Sequence, residues 1–300
     1  MKDKVIISGI NGFVGKNLFD FYVRKGYQVW GISRNCNQND KRIIESDLQL
    51  DDLTNEYEKI KPNVFIHCVG SADVGLSIRE PIHDFNANVM TLYNTLLSLK
   101  KASPNCRFIF LSSAAVYGNP KKLPISEEDI LKPISPYGLH KKICEDICMY
   151  FIKNHEMDIR ILRIFSAYGN GLKKQLLWDI HRKANDSDEI KLFGNGNESR
   201  DYIHISDLIN AIHLVSTTNE KEITFNISNG KEEYIKDIAK MVEKYYENEK
   251  KVTFNNITKK GDPLNWRADI NRLKSLGYVQ EKNIEAGILD YLKWSDTIVE

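Results

Sequence analysis

Short apolar runs alternate with amphipathic stretches through the first half of the chain. The apolar runs end at glycine or polar residues and predict buried strands at 5–8, 29–32, 64–69, 108–111 and 159–162. Stretches with helical spacing predict helices at 15–25, 88–100 and 137–154. Strands alternating with helices are typical of a parallel, doubly wound sheet, which predicts an α/β fold of Rossmann type. Ligands of such sheets gather at the carboxyl ends of the strands.

The pattern changes after about residue 166. Glycine-containing loops interrupt it, and the helical stretches near 233–247 and 284–294 are strongly charged. We interpret this part as a smaller, mixed α/β cap that binds the substrate. The predicted dinucleotide-binding domain comprises 1–166 with a return segment at about 201–216, and the cap comprises 167–200 and 217–300. The run 200–205 is expected to be a strand that returns to the main domain.

The composition is that of an ordinary globular protein. Hydrophobic residues make up 42% of the 300 and charged residues 28%, and the formal charge is +1. A net charge this close to zero does not indicate binding to nucleic acid or to an anionic membrane. No apolar run reaches the length of a membrane span and no signal-peptide pattern opens the chain, so we expect a cytoplasmic protein. The five scattered cysteines indicate small core residues and no metal site.

A glycine-rich turn lies between the first predicted strand and the first helix. Glycine there allows a tight turn and close approach to a pyrophosphate, which the helix N-terminus then binds. We therefore predict a dinucleotide-binding site that includes Gly9, Asn11, Gly12, Phe13, Val14 and Gly15.

The end of the second strand bears on which nicotinamide cofactor is used. Ser33 and Arg34 stand where an NAD-specific site usually has an acidic residue, and an arginine suits the 2′-phosphate of NADP(H). NADP(H) is therefore favoured, with NAD(H) as the alternative, in which Arg34 is a solvated cation or stacks on adenine. Asp47 is either an acceptor for the adenine amino group or an exposed loop carboxylate.

A tyrosine and a lysine four residues apart are the candidate proton-transfer pair. Ser135 can cap a helix and Pro136 suits its first position, which places Tyr137 in the first turn and Lys141 on the same face. An ammonium beside a phenol is expected to lower the pKa of Tyr137, making it an acid/base for a sugar or alcohol oxygen. This spacing occurs five times in the chain, so Tyr137 is distinguished by its context.

These motifs together resemble the extended short-chain dehydrogenase/reductase family, in its nucleotide-sugar epimerase/dehydratase group. The resemblance covers essentially the whole chain and rests on Gly9-x-x-Gly12-x-x-Gly15, Asp47-Leu48, Asn88-Val89, Tyr137-x-x-x-Lys141 and the segments 112–118, 163–169 and 200–204. It implies that Ser113, Tyr137 and Lys141 are catalytic, and that Asp47, Leu48 and Asn88 lie near the cofactor. Ser112 is expected to be a structural hydroxyl at the end of the strand.

The resemblance also indicates the substrate side. It implies that Arg200 pairs with the pyrophosphate of a nucleotide-diphosphate sugar, a solvated loop arginine being the alternative. Ser166 and Lys174 are further candidates for substrate binding. The family commonly dimerises through two helices, so we expect a homodimer, with Ile143, Ile147 and Phe151 as a candidate contact stripe.

Departures from the family pattern reduce the number of reactions to consider. Sugar 4,6-dehydratases carry an Asp-Glu pair where this chain has Ala114 and Ala115, which exchange no proton, so dehydration is disfavoured. We expect NADPH-dependent reduction of a nucleotide-linked 4-keto-6-deoxy sugar, favoured by Ser33-Arg34. A 4-epimerase that retains NAD is the alternative, and Ser166 weakly disfavours a galactose-type epimerase. A non-catalytic protein that senses NADP(H) is the second alternative.

Overall fold

A computed structural model describes residues 3–35, 40–257, 261 and 263–298 of the chain. The strands found within these residues are, in chain order, β1 (Lys4–Ser8), β2 (Gln28–Ser33), β3 (Ile43–Glu45), β4 (Val64–His67), β5 (Arg107–Ser113), β6 (Ile159–Ile164), β7 (Ser166–Tyr168), β8 (Glu189–Leu192), β9 (Ser199–Arg200), β10 (Tyr202–His204), β11 (Thr224–Ile227), β12 (Glu233–Tyr234) and β13 (Lys251–Phe254).

The α-helices are α1 (Phe13–Arg24), α2 (Thr54–Ile60), α3 (Val74–Arg79), α4 (Pro81–Phe85), α5 (Thr91–Ala102), α6 (Pro136–His155), α7 (Gln175–Asp186), α8 (Ile205–Thr217), α9 (Ile235–Tyr245), α10 (Asn271–Ser275) and α11 (Ile284–Ser295). A π-helical turn (Asn86–Met90) joins α4 to α5, and a 3₁₀ turn (Ala114–Val116) follows β5.

Seven parallel strands form the central sheet, in the order β11-β6-β5-β4-β1-β2-β3. The chain runs outward from β1 through β2 and β3, then crosses back to β4 and continues through β5 and β6. The strand order therefore reverses between β1 and β4, where doubly wound sheets bind their ligands. This arrangement confirms the predicted Rossmann-type α/β fold.

Both faces of the sheet are covered by helices. The inner strands are almost entirely buried, as their apolar runs predict. On one face they pack in a core with α1 and α8, and on the other with α2, α5 and α6. Helix α1 ends before Gly26, whose φ of 76° suits the left-handed residue that terminates a helix.

The second half of the chain departs from the predicted division in two places. The prediction placed all of 217–300 in the cap, but β11 lies in the central sheet beside β6, so this part of the assignment is wrong. The run 200–205 forms β9 and β10, which pair with β12 and β7 in separate two-stranded sheets. The return to the main sheet is made by α8, which packs on α1.

A third core lies among the elements of the cap region. Helices α7, α9 and α11 pack around the parallel pair β8 and β13, and this core is separate from the two that flank the central sheet. The region is a mixture of helices and short strands.

The structure bears on the expected contact stripe of α6 and on the cysteines. Phe151 is fully buried, and Ile143 and Ile147 are half-buried and pack against the core beneath α6, so the stripe contributes mainly to the core of the monomer. Among the described cysteines, 106, 144 and 148 are buried and 68 is half-buried, all four with free thiols; Cys36 lies outside the described residues. In the part of the chain that the structure describes, no cluster of residues is suited to a metal ion and no helix is long and apolar enough to cross a membrane.

Candidate active site

The turn between β1 and α1 is packed so closely that two of its positions require glycine. Gly9 has a φ of 72°, and a Cβ there would lie 3.1 Å from the backbone of Cys68 and Val69. A Cβ on Gly15 would lie 2.2 Å from the Gly9 carbonyl oxygen. Gly12 is exposed and its amide donates to the same carbonyl at 2.9 Å. This cradle, which opens a helix N-terminus, fits the pyrophosphate of a dinucleotide.

The side chains at the end of β2 border this turn. Asn11 donates from its amide nitrogen to the Ser33 hydroxyl at 2.7 Å and to the Asn35 carbonyl at 3.0 Å, which ties the turn to the strand. Arg34, which directly follows β2, is exposed. Phe13 and Val14, in the first turn of α1, are half-buried.

Asp47 and Leu48 follow the short strand β3 and differ in role. Leu48 is buried in the core, with its carbonyl accepting from Asn94 at 3.3 Å. Asp47 is half-exposed, and its carboxylate accepts from the Gln49 amide at 3.0 Å. Of these two residues, Asp47 is the one that can offer a polar side chain to a ligand.

Tyr137 occupies the first turn of α6, as predicted. The Ser135 hydroxyl accepts from the Gly138 amide at 3.1 Å, and Pro136 is the first helical residue. The backbone amide of Tyr137 donates to the Ser77 hydroxyl at 3.1 Å, which fixes the helix start against α3. The hydroxyl of Ser113, at the end of β5, faces the Tyr137 phenol and acts to lower its pKa.

Lys141 lies one turn further along the same face. Its ammonium donates to the Leu111 carbonyl at 3.0 Å and lies 5.0 Å from the centre of the Phe110 ring and 6.0 Å from that of Tyr137. Burial lowers the pKa of Lys141. Burial also raises the pKa of Tyr137 to about 12, against the opposing effect of Ser113. The pKa of Tyr137 is therefore raised and not lowered as expected, because the cost of burying a phenolate outweighs the opposing effect of the Ser113 hydroxyl.

Asn88 and Lys141 both closely approach the backbone of Gly70. A Cβ on Gly70 would lie 2.6 Å from the Asn88 side-chain oxygen and 3.5 Å from the Lys141 ammonium. The Asn88 nitrogen donates to the Asp84 carbonyl at 3.0 Å, whereas its buried oxygen has no partner among the described residues. An acceptor without a partner and a cation close to the same glycine are groups that suit the hydroxyls of a cofactor ribose.

The candidate substrate residues lie on separate elements of the second half. Ser166, in β7, is half-buried, and its amide donates to the Asp201 carbonyl at 3.0 Å, which places it near Arg200. Arg200 donates to the carbonyls of Ser199 and Leu264, and its guanidinium lies 5.7 Å from the centre of the Trp266 ring.

Lys174 is exposed at the N-terminus of α7, after the loop that contains Gly169 and Gly171. A Cβ on Gly171 would lie 3.7 Å from Phe13, so this loop approaches the glycine turn. Lys174 itself is not in contact with the other candidate substrate residues.

Comparison with known proteins gives the family. The model of the NAD dependent epimerase/dehydratase family matches residues 5–228, which include the glycine turn, Ser113, Tyr137 and Lys141. This chain belongs to that family. A putative UDP-glucose 4-epimerase of Methanocaldococcus jannaschii is 26% identical over 97% of both chains. The GDP-6-deoxy-D-mannose reductase of Pseudomonas aeruginosa is 26% identical over 81% of this chain and 80% of its own.

Solved structures of the epimerase/dehydratase type share the fold over almost the full chain. UDP-glucuronic acid 4-epimerase from Bacillus cereus, in complex with UDP-glucuronic acid and NAD, superposes with a TM-score of 0.89 at 24% identity, covering 98% of this chain and 99% of that one. MoeE5 in complex with UDP-glucose and NAD gives 0.88 at 22% identity and the same coverage. These similarities confirm the fold of the family member described here.

A buried polar network that sequence reasoning missed supports the active site of this epimerase/dehydratase family member. The Ser112 hydroxyl donates to the Glu145 carboxylate at 2.5 Å, and Arg163 donates to the same carboxylate at 2.7 Å. Arg163 also donates to the Tyr117 hydroxyl at 2.8 Å, which in turn donates to Asn226 at 2.7 Å. The network joins β5, α6, β6 and β11. Ser112 thus has the structural contact expected of it, while its neighbour Ser113 faces Tyr137.

Asp201 is a second residue whose role the sequence did not indicate. Its fully buried carboxylate accepts from the Ser228 hydroxyl at 2.6 Å and from the amides of Ala268 and Asn229 at 2.9 and 3.1 Å. Burial raises the pKa of Asp201 to about 6 in spite of these bonds. Asp201 therefore fixes three segments beside Arg200. Its only sequence signal is its place in the run 200–204 of the family resemblance.

Proposed function

We propose that this protein transfers a hydride at C4 of a nucleotide-diphosphate sugar while Tyr137 exchanges a proton with the oxygen on that carbon. The observation that carries the proposal is the meeting of Ser113, Tyr137 and Lys141 at the carboxyl edge of the sheet, beside the glycine turn. A proton donor next to a dinucleotide site is what the oxidation or reduction of an alcohol requires.

A nicotinamide cofactor fits the residues at this edge. The backbone of Gly9, Gly12 and Gly15 would hold its pyrophosphate, and the oxygen of Asn88 and the ammonium of Lys141 would bind a ribose. When bound, the nicotinamide supplies or accepts the hydride.

The three catalytic residues have distinct proposed tasks. Ser113 hydrogen-bonds the sugar oxygen and orients it toward Tyr137. Tyr137 donates its proton to that oxygen in reduction and removes it in oxidation. Lys141 supplies positive charge that stabilises the phenolate as it forms. On the substrate side, Arg200 would pair with the pyrophosphate of the sugar nucleotide, with Ser166 and Lys174 contributing to the same pocket.

Within this chemistry we favour NADPH-dependent reduction of a 4-keto-6-deoxy sugar. Ala114 and Ala115 carry no groups for the acid–base steps of dehydration. The exposed guanidinium of Arg34, next to Ser33 at the end of β2, suits a 2′-phosphate, and neither of these two residues is acidic.

A 4-epimerase that retains NAD is the second candidate. It is favoured by relatives that are named UDP-sugar 4-epimerases and by similar structures that contain NAD. In an epimerase Tyr137 would remove the proton of the C4 hydroxyl during oxidation, and it would donate a proton to the same oxygen when the rotated keto sugar is reduced on its other face.

The two candidates differ in cofactor turnover. With NADPH and nucleotide-linked 4-keto-6-deoxy sugars of each base, we expect one NADPH oxidised per sugar reduced and no dehydration of the parent sugar. A protein that retains NAD through dialysis and equilibrates C4 epimers without added cofactor would instead establish the epimerase. Tight cofactor binding with no turnover of any sugar nucleotide would favour the non-catalytic sensor.

Replacement of Arg34 tests the cofactor preference separately. Arg34→Ala should weaken NADPH binding about ten- to a hundredfold and leave NADH binding unchanged, because a charged hydrogen bond contributes about 1.5–3 kcal/mol. Calorimetric titration with NADPH and with NADH measures the two affinities. Arg24→Ala is the matched control, because Arg24 lies at the end of α1 that is far from the glycine turn. Equal affinities of the unchanged protein for the two cofactors would remove the argument for NADPH.

A further inference from the structure

A buried acid–imidazole pair lies next to the catalytic helix. Asp84, in α4, is completely inaccessible to solvent, and one oxygen of its carboxylate lies 2.6 Å from Nδ1 of His140. His140 directly precedes Lys141 in α6 and follows Tyr137 by three residues. Its ring also packs edge-on against Phe85, at 5.4 Å between centres.

The second oxygen of the Asp84 carboxylate is what makes the pair unusual. It is buried and has no hydrogen-bond partner among the described residues. The side-chain oxygen of Asn88, one helical turn later, is likewise buried without a partner there. The Asn88 side-chain N–H donates to the Asp84 carbonyl, and the Asn88 oxygen and the Lys141 ammonium both lie close to Gly70. A carboxylate with a free oxygen is costly to bury, so it needs a compensating role.

We propose that the Asp84–His140 pair is a positioning device for the active site: His140 holds the buried Asp84 carboxylate against the first turns of α6, which carry Tyr137 and Lys141, so that its negative charge acts on both side chains. This inference rests on the proposed function for its consequence in catalysis. The interaction itself does not depend on the identity of the substrate.

The charges agree with this assignment. The Asp84 carboxylate raises the pKa of Tyr137 and, against the effect of burial, that of Lys141. A negative charge keeps the Lys141 ammonium protonated in a site from which water is excluded, and it keeps Tyr137 a proton donor. The Asp84 charge thus raises the pKa of both side chains.

Other ionisable groups around Lys141 carry no competing negative charge near neutral pH. Burial raises the pKa of the thiols of Cys68, Cys144 and Cys148, so they remain protonated. Burial lowers the pKa of His67 to about 3, so its ring is neutral. The carboxylate of Glu145, one turn beyond Lys141, is neutralised by its ion pair with Arg163.

Elements packed against α4 complete this description. Helix α3 contributes Arg79, which is exposed, and α4 itself contributes the exposed His83. From α6, the polar groups facing Asp84 are those of His140, Tyr137 and Lys141. Because Asp84 and His140 are themselves buried, bulk water does not screen the charge of the pair.

Replacement of Asp84 by asparagine tests the proposal without requiring turnover. The ionisation of Tyr137 is measured in the full-length protein, with and without NAD⁺, as the tyrosinate absorbance of each protein minus that of the same protein carrying Tyr137→Phe. In Asp84→Asn the titration of Tyr137 should move to lower pH by about one unit, because a nearby negative charge is removed. The pH profile of turnover should move in the same direction.

Three further variants make the test specific. Asp146→Asn removes an exposed carboxylate of the same helix and should leave the titration unchanged. His140→Leu removes the donor that stabilises the carboxylate and should shift the titration as Asp84→Asn does, which provides a second route if Asp84→Asn does not fold. His140→Asn, which retains an N–H donor near the position of Nδ1, should behave as the unchanged protein.

The outcomes separate this proposal from the proposed function. An unchanged Tyr137 titration in Asp84→Asn and His140→Leu would overturn the positioning role, whatever the enzyme turns over. A shifted titration in a protein that converts no nucleotide sugar would support the positioning role and refute the proposed function.

Discussion

At the scale of single residues, the active site shows how burial sets the properties of an acid. Tyr137 and Lys141 have the spacing expected of a proton-transfer pair, yet burial shifts the pKa of each against its charged form. The hydroxyl of Ser113 and the charge of Lys141 must therefore act on a phenol that is intrinsically reluctant to ionise. The residue types were predictable from the sequence, whereas the balance of these effects depends on the depth of the site.

Loss of the Tyr137 hydroxyl should abolish most of the turnover. Tyr137→Phe retains the ring and its packing but removes the proton donor, so we expect the rate to fall about a hundredfold or more, the usual scale for a lost general acid. Steady-state kinetics measure the rate, and calorimetry should show unchanged cofactor binding as the control. Near-normal turnover would exclude Tyr137 as the proton donor.

Asp201 should make stability depend on pH in an unusual direction. Its pKa in the folded protein, about 6, is above the ordinary value of 3.8, so the folded state binds more protons than the unfolded state between these values. The contribution of Asp201 to stability therefore increases as the pH falls through 6. Relative to Asp201→Asn, the unchanged protein should gain about 1 kcal/mol in the free energy of unfolding from pH 7 to pH 5.

Urea denaturation of both proteins at the two pH values measures this gain. The comparison removes the contributions of other carboxylates, which titrate equally in both proteins. A difference between the two proteins that does not change with pH would mean that Asp201 is fully ionised across this range.

At the scale of elements, the attachment of α6 to the sheet depends on an ion pair. Glu145 and Arg163 are both buried, and their carboxylate and guanidinium are joined at 2.7 Å. Glu145→Gln should lower the free energy of unfolding by about 3–5 kcal/mol, because it leaves the Arg163 charge buried and unpaired.

An exposed pair on the same helix provides the matched control. Lys142 and Asp146 are joined at 2.9 Å near the surface, and Asp146→Asn should change stability by less than about 1 kcal/mol. Denaturant titrations of both variants give the comparison. Equal, small losses in the two would show that the buried network does not secure the helix.

The same elements show which features could be predicted from the sequence. Strands with continuous apolar runs, such as β1 and β5, and the capped start of α6 carry local signals and were predicted. Strand β11 was missed because its buried Asn226 interrupts the apolar pattern. That amide donates to the Ile125 carbonyl and accepts from Tyr117, so its partners lie about a hundred residues earlier. Glu145, Asp84 and His140 likewise acquire their roles only through contacts between distant segments.

At the scale of the whole molecule, the expected homodimer stays a prediction, with a different candidate surface. Tyr93 of α5 and Tyr150 of α6 are 40% and 52% exposed, and both rings contact the buried Phe151 edge-on. The pair thus lies on the outer side of the two helices that were expected to mediate the contact.

Charge introduced on this surface should separate a dimer into monomers. We expect light scattering to give twice the chain mass for the unchanged protein and a single chain mass for Tyr93→Glu/Tyr150→Glu, because two buried carboxylates are costly at an interface. Leu50→Glu, on a side chain that is 82% exposed, should leave the dimer intact. A single chain mass for the unchanged protein would exclude the dimer.

The position of β11 in the central sheet has a consequence for the order in which the molecule forms during synthesis. The glycine turn and the catalytic helix are complete by residue 155, but β11, which closes the network through Asn226 and Tyr117, spans residues 224–227. A ribosome releases the N-terminal part of a chain first. The nascent protein therefore carries Ser113, Tyr137 and Lys141 long before the edge of its sheet exists, and the network through Asn226 can close only when about three quarters of the chain has been made.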